Sequence, residues 1–264
     1  MNATATAAVN PAPASNSDEA AEYIWNNHFD KPTLVVSRER VGVQYDALKA
    51  GLGDAHIHYA VKANPAPEII RLLVERGSGF DAASRQEIEL CLSQGADPAT
   101  ISFGNTIKRG VDIAFAHSIG VTLFAADCEA ELDKIAAHAP GARVYIRLIV
   151  ENSLADWPLT RKFGCADTLL PSLLDYTKSV GLVPYGLSFH VGSQTRKAEY
   201  WHPVLDQVAP LWHAAKAVGH DLQLLNVGGG FPAYHGDPVD APRGYAAAVM
   251  AAVHERFGDV PFIM

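Results

Sequence analysis

Cysteine is scarce in this sequence and shows no pairing pattern: Cys91, Cys128 and Cys165 are scattered, and none lies in CxxC spacing. That excludes a disulfide framework and gives no zinc-type ligand set, so no metal is expected and a reducing, cytoplasmic setting is the simplest one. Long apolar runs are absent as well, with nothing approaching the ~18 residues of a membrane helix. The first 18 residues contain no Lys or Arg and no continuous apolar block. They match neither a signal peptide nor a transit peptide, and their composition predicts a disordered tail over 1–18. Positive charge is in deficit, with 21 Lys and Arg against 29 Asp and Glu for a net charge of −8. No nucleic acid and no anionic membrane is therefore expected as a partner, whereas a cationic small molecule suits the charge. No GxGxxG follows an early strand, which removes the main signature of an open dinucleotide-binding sheet.

What is present is a long, regular alternation. The 264 residues are 48% hydrophobic, enough for one large α/β barrel or two smaller domains. The patterning predicts strands at 55–61, 78–81, 100–103, 121–125, 142–148, 183–189, 223–227 and 260–263. Between them it predicts helices at 66–76, 85–93, 109–119, 129–138, 169–180, 197–218 and 244–257. Gly77, Gly95, Gly120, Gly141, Gly181, Gly219 and Gly258 each stand where a helix would stop. Strands alternating with helices form a parallel sheet, and eight in one series predict a closed (β/α)8 barrel of TIM type over 55–264. Ahead of it, 19–54 reads as a helix, a strand at 32–37 and a second helix over 38–50.

Barrels of this kind place chemistry at the carboxyl ends of their strands. Lys62 follows the first strand, Asp81 closes the second, and Asn105 and Asp127 follow the third and fourth. Arg147 lies near the end of the fifth, His190 and Ser193 follow the sixth, and Gly228, Gly229 and Gly230 follow the seventh. In a partly dry pocket Lys62 would lose some preference for the ammonium form, and a neutral amine can attack a carbonyl. A Lys snorkelling from a strand end is the plainer reading. Three residues without Cβ either let backbone N–H groups converge on an anion or make a tight turn. Ser193 can donate to the same anion; His190 can stack on an aromatic cofactor or be a satisfied structural residue. Asp81 and Glu87 can pair with the Lys62 ammonium; otherwise Asp81 belongs to a helix N-cap neighbourhood and Glu87 to a solvated helix face. Arg147, in an apolar strand, needs a partner at the barrel mouth or in a structural ion pair. An aldehyde-trapping Lys, a phosphate cradle and a stacking His together describe a site for pyridoxal 5′-phosphate.

The ordered segments Tyr59-Ala-Val-Lys-Ala-Asn64, Gly79-Phe-Asp-Ala-Ala-Ser84, Lys162-Phe-Gly164, Ser188-Phe-His-Val-Gly-Ser193 and Asn226-Val-Gly-Gly-Gly-Phe-Pro232 span most of 33–264. As a set they resemble the ornithine/diaminopimelate (group IV) decarboxylases, fold type III pyridoxal-phosphate enzymes with an alanine-racemase-like barrel. The resemblance implies that Lys62 is the Schiff-base lysine and that His190 stacks on the pyridine ring. It places Ser193 and Gly230 at the phosphate with Gly228 and Gly229 beside them. Asp81 and Arg147, and more remotely Ala60, Glu87 and Asn105, would neighbour the cofactor and Lys62. The short loop 151–161 and Asn105-Thr-Ile-Lys108 are similar to the ornithine-type branch that includes bacterial ornithine decarboxylases, where the Lys lies near the dimer interface. The implied activity is decarboxylation of a basic amino acid, foremost ornithine to putrescine in polyamine biosynthesis, by a homodimer. Lysine, arginine or diaminopimelate decarboxylation, a racemase on the same barrel and a non-catalytic regulatory homologue are the alternatives.

The sequence reaches Met264 inside the eighth strand, where members of the family continue with Glu-Pro-Gly-Arg and a β-domain. That domain supplies the proton donor, substrate-reading residues and further phosphate contacts. The resemblance therefore implies an N-terminal portion of a decarboxylase, lacking the barrel's end and the β-domain that the 32–37 strand would join. Alone it is expected to turn over little or nothing.

Overall fold

The computed structural model describes residues 17–151, 153–158, 162–259 and 262–263. Eight parallel strands pair in strict chain order: β1 (His58–Ala60), β2 (Gly79–Ala82), β3 (Ile101–Phe103), β4 (Leu123–Ala126), β5 (Arg143–Arg147), β6 (Val183–Ser188), β7 (Leu224–Asn226) and β8 (Phe262–Ile263). Parallel neighbours need a crossover, and helices supply each one. These are α3 (Pro67–Glu75), α4 (Arg85–Ser93), α5 (Gly110–Ser118), α6 (Glu129–His138), α7 (Leu170–Ser179), α8 (His202–Ala217) and α9 (Pro242–Phe257), with α1 (Ser17–Asn26) and α2 (Arg38–Leu52) ahead of β1. All seven glycines expected at helix ends carry positive φ.

Successive strand residues point to opposite faces. One set, including Phe80, Ile101, Phe103, Phe124, Val144 and Leu225, packs with helix residues such as Ile70, Ile88 and Leu132 in the main core. The other set, Leu123, Ala125, Tyr145 and Leu224, forms a separate small cluster with Tyr185 inside the curled sheet. The curl is set by the flanking helices. α2, which precedes β1, packs along α9, which leads into β8, so the two ends of the sheet are brought together. The approach is close enough that a Cβ on Gly51 would strike the Arg243 carbonyl. Among the described residues no ladder joins β8 to β1.

Two expected elements differ. Residues 32–37 form no strand; they run irregularly with Leu34 83% and Val36 41% exposed. A strand exists through its ladder, and no partner for this segment lies among the described residues. The long helix expected over 197–218 is split into a 3₁₀ turn at Ala198–Trp201 and α8, whose first turn holds Pro203. Proline suits that position because its missing N–H would have no intrahelical partner there.

Candidate active site

The strand ends bring together most of the residues singled out by the sequence. β1 gives way to a 3₁₀ turn, Val61–Ala63, that carries Lys62. Lys62 is exposed in this turn. Ala60 pairs in register with Asp81 on β2. The Asp81 carboxyl lies within electrostatic reach of Lys62, Arg147 and Glu87, and Ser102 on β3 donates to its Oδ1 at 3.1 Å. Burial raises the pKa of Asp81 against the pull of Lys62, Ser102 and Arg147. The next residue on the inward face of the third strand, Gly104, is small by necessity, since a Cβ there would collide with that carboxyl. Arg147 is half-buried, 5.5 Å from the Phe163 ring, and burial lowers its pKa while Tyr145, Asp81 and Asp127 oppose that. Among the described residues it forms no ion pair within 4.0 Å, so the structural-pair reading fails for it.

His190 Nδ1 accepts the Gly192 N–H at 3.0 Å, which leaves the proton on Nε2. Burial first, then Arg147 and Lys62, push its pKa down to about 4, so the ring is neutral at pH 7. The triple-glycine turn lies directly against it. A Cβ on Gly229 would sit 3.6 Å from His190 Nε2. Gly228 has φ 73° and Gly230 φ 97°, and a Cβ at either would strike a carbonyl oxygen, of Phe189 and Gly192 respectively. Asn226 Oδ1 accepts the Gly228 N–H at 2.9 Å. Among the described residues the Gly229 and Gly230 N–H groups and the Ser193 hydroxyl have no partner within the protein. Lys62, Arg147, His190 and these donors thus face one mouth of the barrel.

Residues 38–263 match the family described as pyridoxal-dependent decarboxylase, pyridoxal binding domain. The chain belongs to that family. It is 37% identical over 207 residues to a decarboxylase of Aspergillus flavus, covering 78% of this chain and 49% of that protein. It is 36% identical over 201 residues to a lysine/ornithine decarboxylase of Selenomonas ruminantium, covering 76% and 51%. The solved lysine/ornithine decarboxylase of Vibrio vulnificus complexed with putrescine superposes with a TM-score of 0.82 at 28% identity, covering 94% of this chain and 65% of that one. The chain spans about half the length of the curated relatives it matches.

The residues fit pyridoxal 5′-phosphate. A turn that a Cβ would fill at two positions presents free N–H donors and a hydroxyl to an anion, a neutral imidazole stands beside it, and an accessible amine lies across the mouth. Other expected residues serve the scaffold. Glu87 Oε2 accepts the Ala83 N–H at 2.6 Å and Ser84 Oγ accepts the Glu87 N–H at 3.3 Å, a variant of the capping box at the start of α4. Glu87 is therefore a part-buried helix cap and not the solvated-face residue expected, although its charge still reaches Asp81. Asn105 offers its carbonyl to Lys108 Nζ at 2.8 Å. The Lys108 side chain is fully buried, 2.9 Å from Glu131, because the loop after β3 folds in against α6. In the loop 151–161, residues 152 and 159–161 lie outside the described residues.

Sequence reading missed a polar chain inside the barrel. Ser102 Oγ stands 3.4 Å from His58 Nδ1 as well as donating to Asp81, with buried Tyr145 close by. Its signal was the inward period-two position of each residue on its strand. Asp127, noted only as a strand-end residue, anchors the Gly164 N–H at 2.9 Å.

Proposed function

We propose that this chain is the cofactor-binding barrel of a basic-amino-acid decarboxylase, acting on ornithine to give putrescine and working as a homodimer in the whole protein. The supporting observation is the meeting of Lys62, His190 and the Gly228–Gly230 turn at one barrel mouth, with donors that no protein group occupies. Pyridoxal phosphate, when bound, supplies an electron sink for bond cleavage at the substrate α-carbon. Lys62 is the residue that would hold the cofactor's aldehyde, its amine being exposed at the barrel mouth. Ser193 with the Gly229 and Gly230 N–H groups would hold the phosphate. Neutral His190 would support one face of the ring without placing a positive charge against it. Asp81, whose buried carboxyl lies within electrostatic reach of Lys62, would help to hold that amine at the mouth. A net charge of −8 and relatives named for lysine and ornithine favour a cationic substrate; the short 151–161 loop favours the ornithine-type branch over diaminopimelate.

Borohydride reduction of the cofactor-treated chain followed by peptide mass spectrometry tests this. A stable adduct is expected on Lys62 and its loss in Lys62→Ala; an adduct retained elsewhere in the variant refutes the assignment. Ornithine should shift the absorbance of the cofactor-loaded whole protein at lower concentration than lysine or arginine, and the reverse order would reject the substrate.

A further inference from the structure

Gln194, one residue beyond Ser193, has φ 56° and is the one non-glycine residue of positive φ among the described residues. A left-handed conformation at such a residue is unfavourable and persists only where the surroundings over-determine it. Here they do. Gln194 Nε2 donates to the Ala233 carbonyl at 2.8 Å and its Oε1 accepts the Ala233 N–H at 2.7 Å, so one side-chain amide pairs both ways with one backbone unit beyond the glycine turn. Next to it the Thr195 N–H donates to the Gly230 carbonyl at 2.9 Å. On the other flank the Ser193 and Trp157 backbones exchange hydrogen bonds at 3.0 and 3.2 Å. Arg196 then reaches Asp156 at 2.8 Å and Asp237 at 2.7 Å, tying in the loops after β5 and β7. The segment 228–233 is thus held at Gly228 by Asn226, at Gly230 by Thr195 and at Ala233 by Gln194, and among the described residues the Gly229, Gly230 and Phe231 N–H groups are left open.

We propose that Gln194 is the positioning residue of the phosphate cradle: its side-chain clamp on Ala233 holds the glycine turn opposite Ser193, so that recognition of the phosphate, and not of the aldehyde, depends on it. The inference rests on the cofactor reading above. Chemistry selects glutamine here. Glutamate could accept from Ala233 but not donate to it, and asparagine tolerates the backbone but is one methylene shorter.

Binding of pyridoxal 5′-phosphate and of unphosphorylated pyridoxal to the 264-residue chain distinguishes the outcomes, with circular dichroism checking the fold. Gln194→Gly removes the clamp while relieving the backbone. It should bind the phosphorylated aldehyde at least about tenfold more weakly and pyridoxal within about twofold of wild type. Gln194→Glu should show the same selective loss to a smaller degree, and it decides the matter if the glycine variant does not fold. Equal weakening toward both aldehydes, or none, overturns the proposal. A wild-type chain that binds the phosphorylated form no better than pyridoxal overturns the cofactor reading itself.

Discussion

At the scale of single residues, two histidines are held neutral for the same reason. Burial takes His58 down to about 4, helped by His56, and His190 to about 4, helped by Arg147 and Lys62. An unfolded chain takes up these protons near pH 6.5 while the folded chain refuses them until about 4. Their contribution is therefore fully present above pH 6.5 and is lost as pH falls toward 4, by at most about 1.4 kcal/mol per pH unit for each. Asp81 acts in the opposite sense, because its raised pKa lets the folded state keep a proton that the unfolded state releases as pH rises. A difference isolates the histidine: His58→Gln should lose stability less steeply than wild type between pH 6.5 and 4 in urea titrations. Parallel curves would show that His58 does not titrate in the unfolded state alone. The glycine turn gives a second contrast. Gly230→Ala combines a left-handed φ with a collision at the Gly192 carbonyl and should cost about 1–3 kcal/mol in thermal unfolding. Gly229→Ala, whose Cβ meets nothing closer than 3.6 Å, should unfold near wild type.

Among the elements, the loop after β3 is pinned by a buried charge cluster. Lys108 Nζ pairs with Glu131 Oε1 at 2.9 Å and donates to the Ala125 carbonyl at 2.6 Å, while Lys134 meets Glu131 Oε2 at 2.5 Å and the Lys108 carbonyl at 2.7 Å. Burial lowers the Lys108 pKa to about 8 against the opposing pull of Glu131. Breaking one side of such a pair strands the other charge, so Glu131→Leu should cost about 3–5 kcal/mol. Replacing both, Lys108→Met with Glu131→Leu, should recover most of that in the same denaturation experiment. A double variant no more stable than the single would show that the cluster does more than satisfy its own charges. None of this was legible beforehand, because Glu131 reads as an ordinary first-turn helix acid and only the fold of the neighbouring loop buries it. At the α4 start the solvated face expected for Glu87 gives way to a cap, with Ser84 Oγ accepting the Glu87 N–H and Glu87 Oε2 the Ala83 N–H.

Across the whole molecule, the curl of the sheet depends on the seam between α2 and α9. Gly51 is the contact point, with the Arg243 carbonyl and the Ala246 Cβ where a side chain would go. Gly51→Val should force the seam apart and lower the unfolding free energy by about 1–3 kcal/mol. An unchanged thermal midpoint would show that this seam does not hold the barrel's two ends together.

The sequence by itself determined the order and type of the barrel elements, the helix stops and the set of strand-end residues, because period and glycine position are local properties. Lys62, His190 and Gly228–Gly230 were legible for that reason: each stands where a strand pattern ends. Tertiary structure decided the rest. It left 32–37 without a ladder and Lys62 exposed, turned Glu87 to a helix cap and drew Lys108 inside. Pairing, burial and the partner of a charge depend on which distant residues arrive alongside, and no local pattern encodes that.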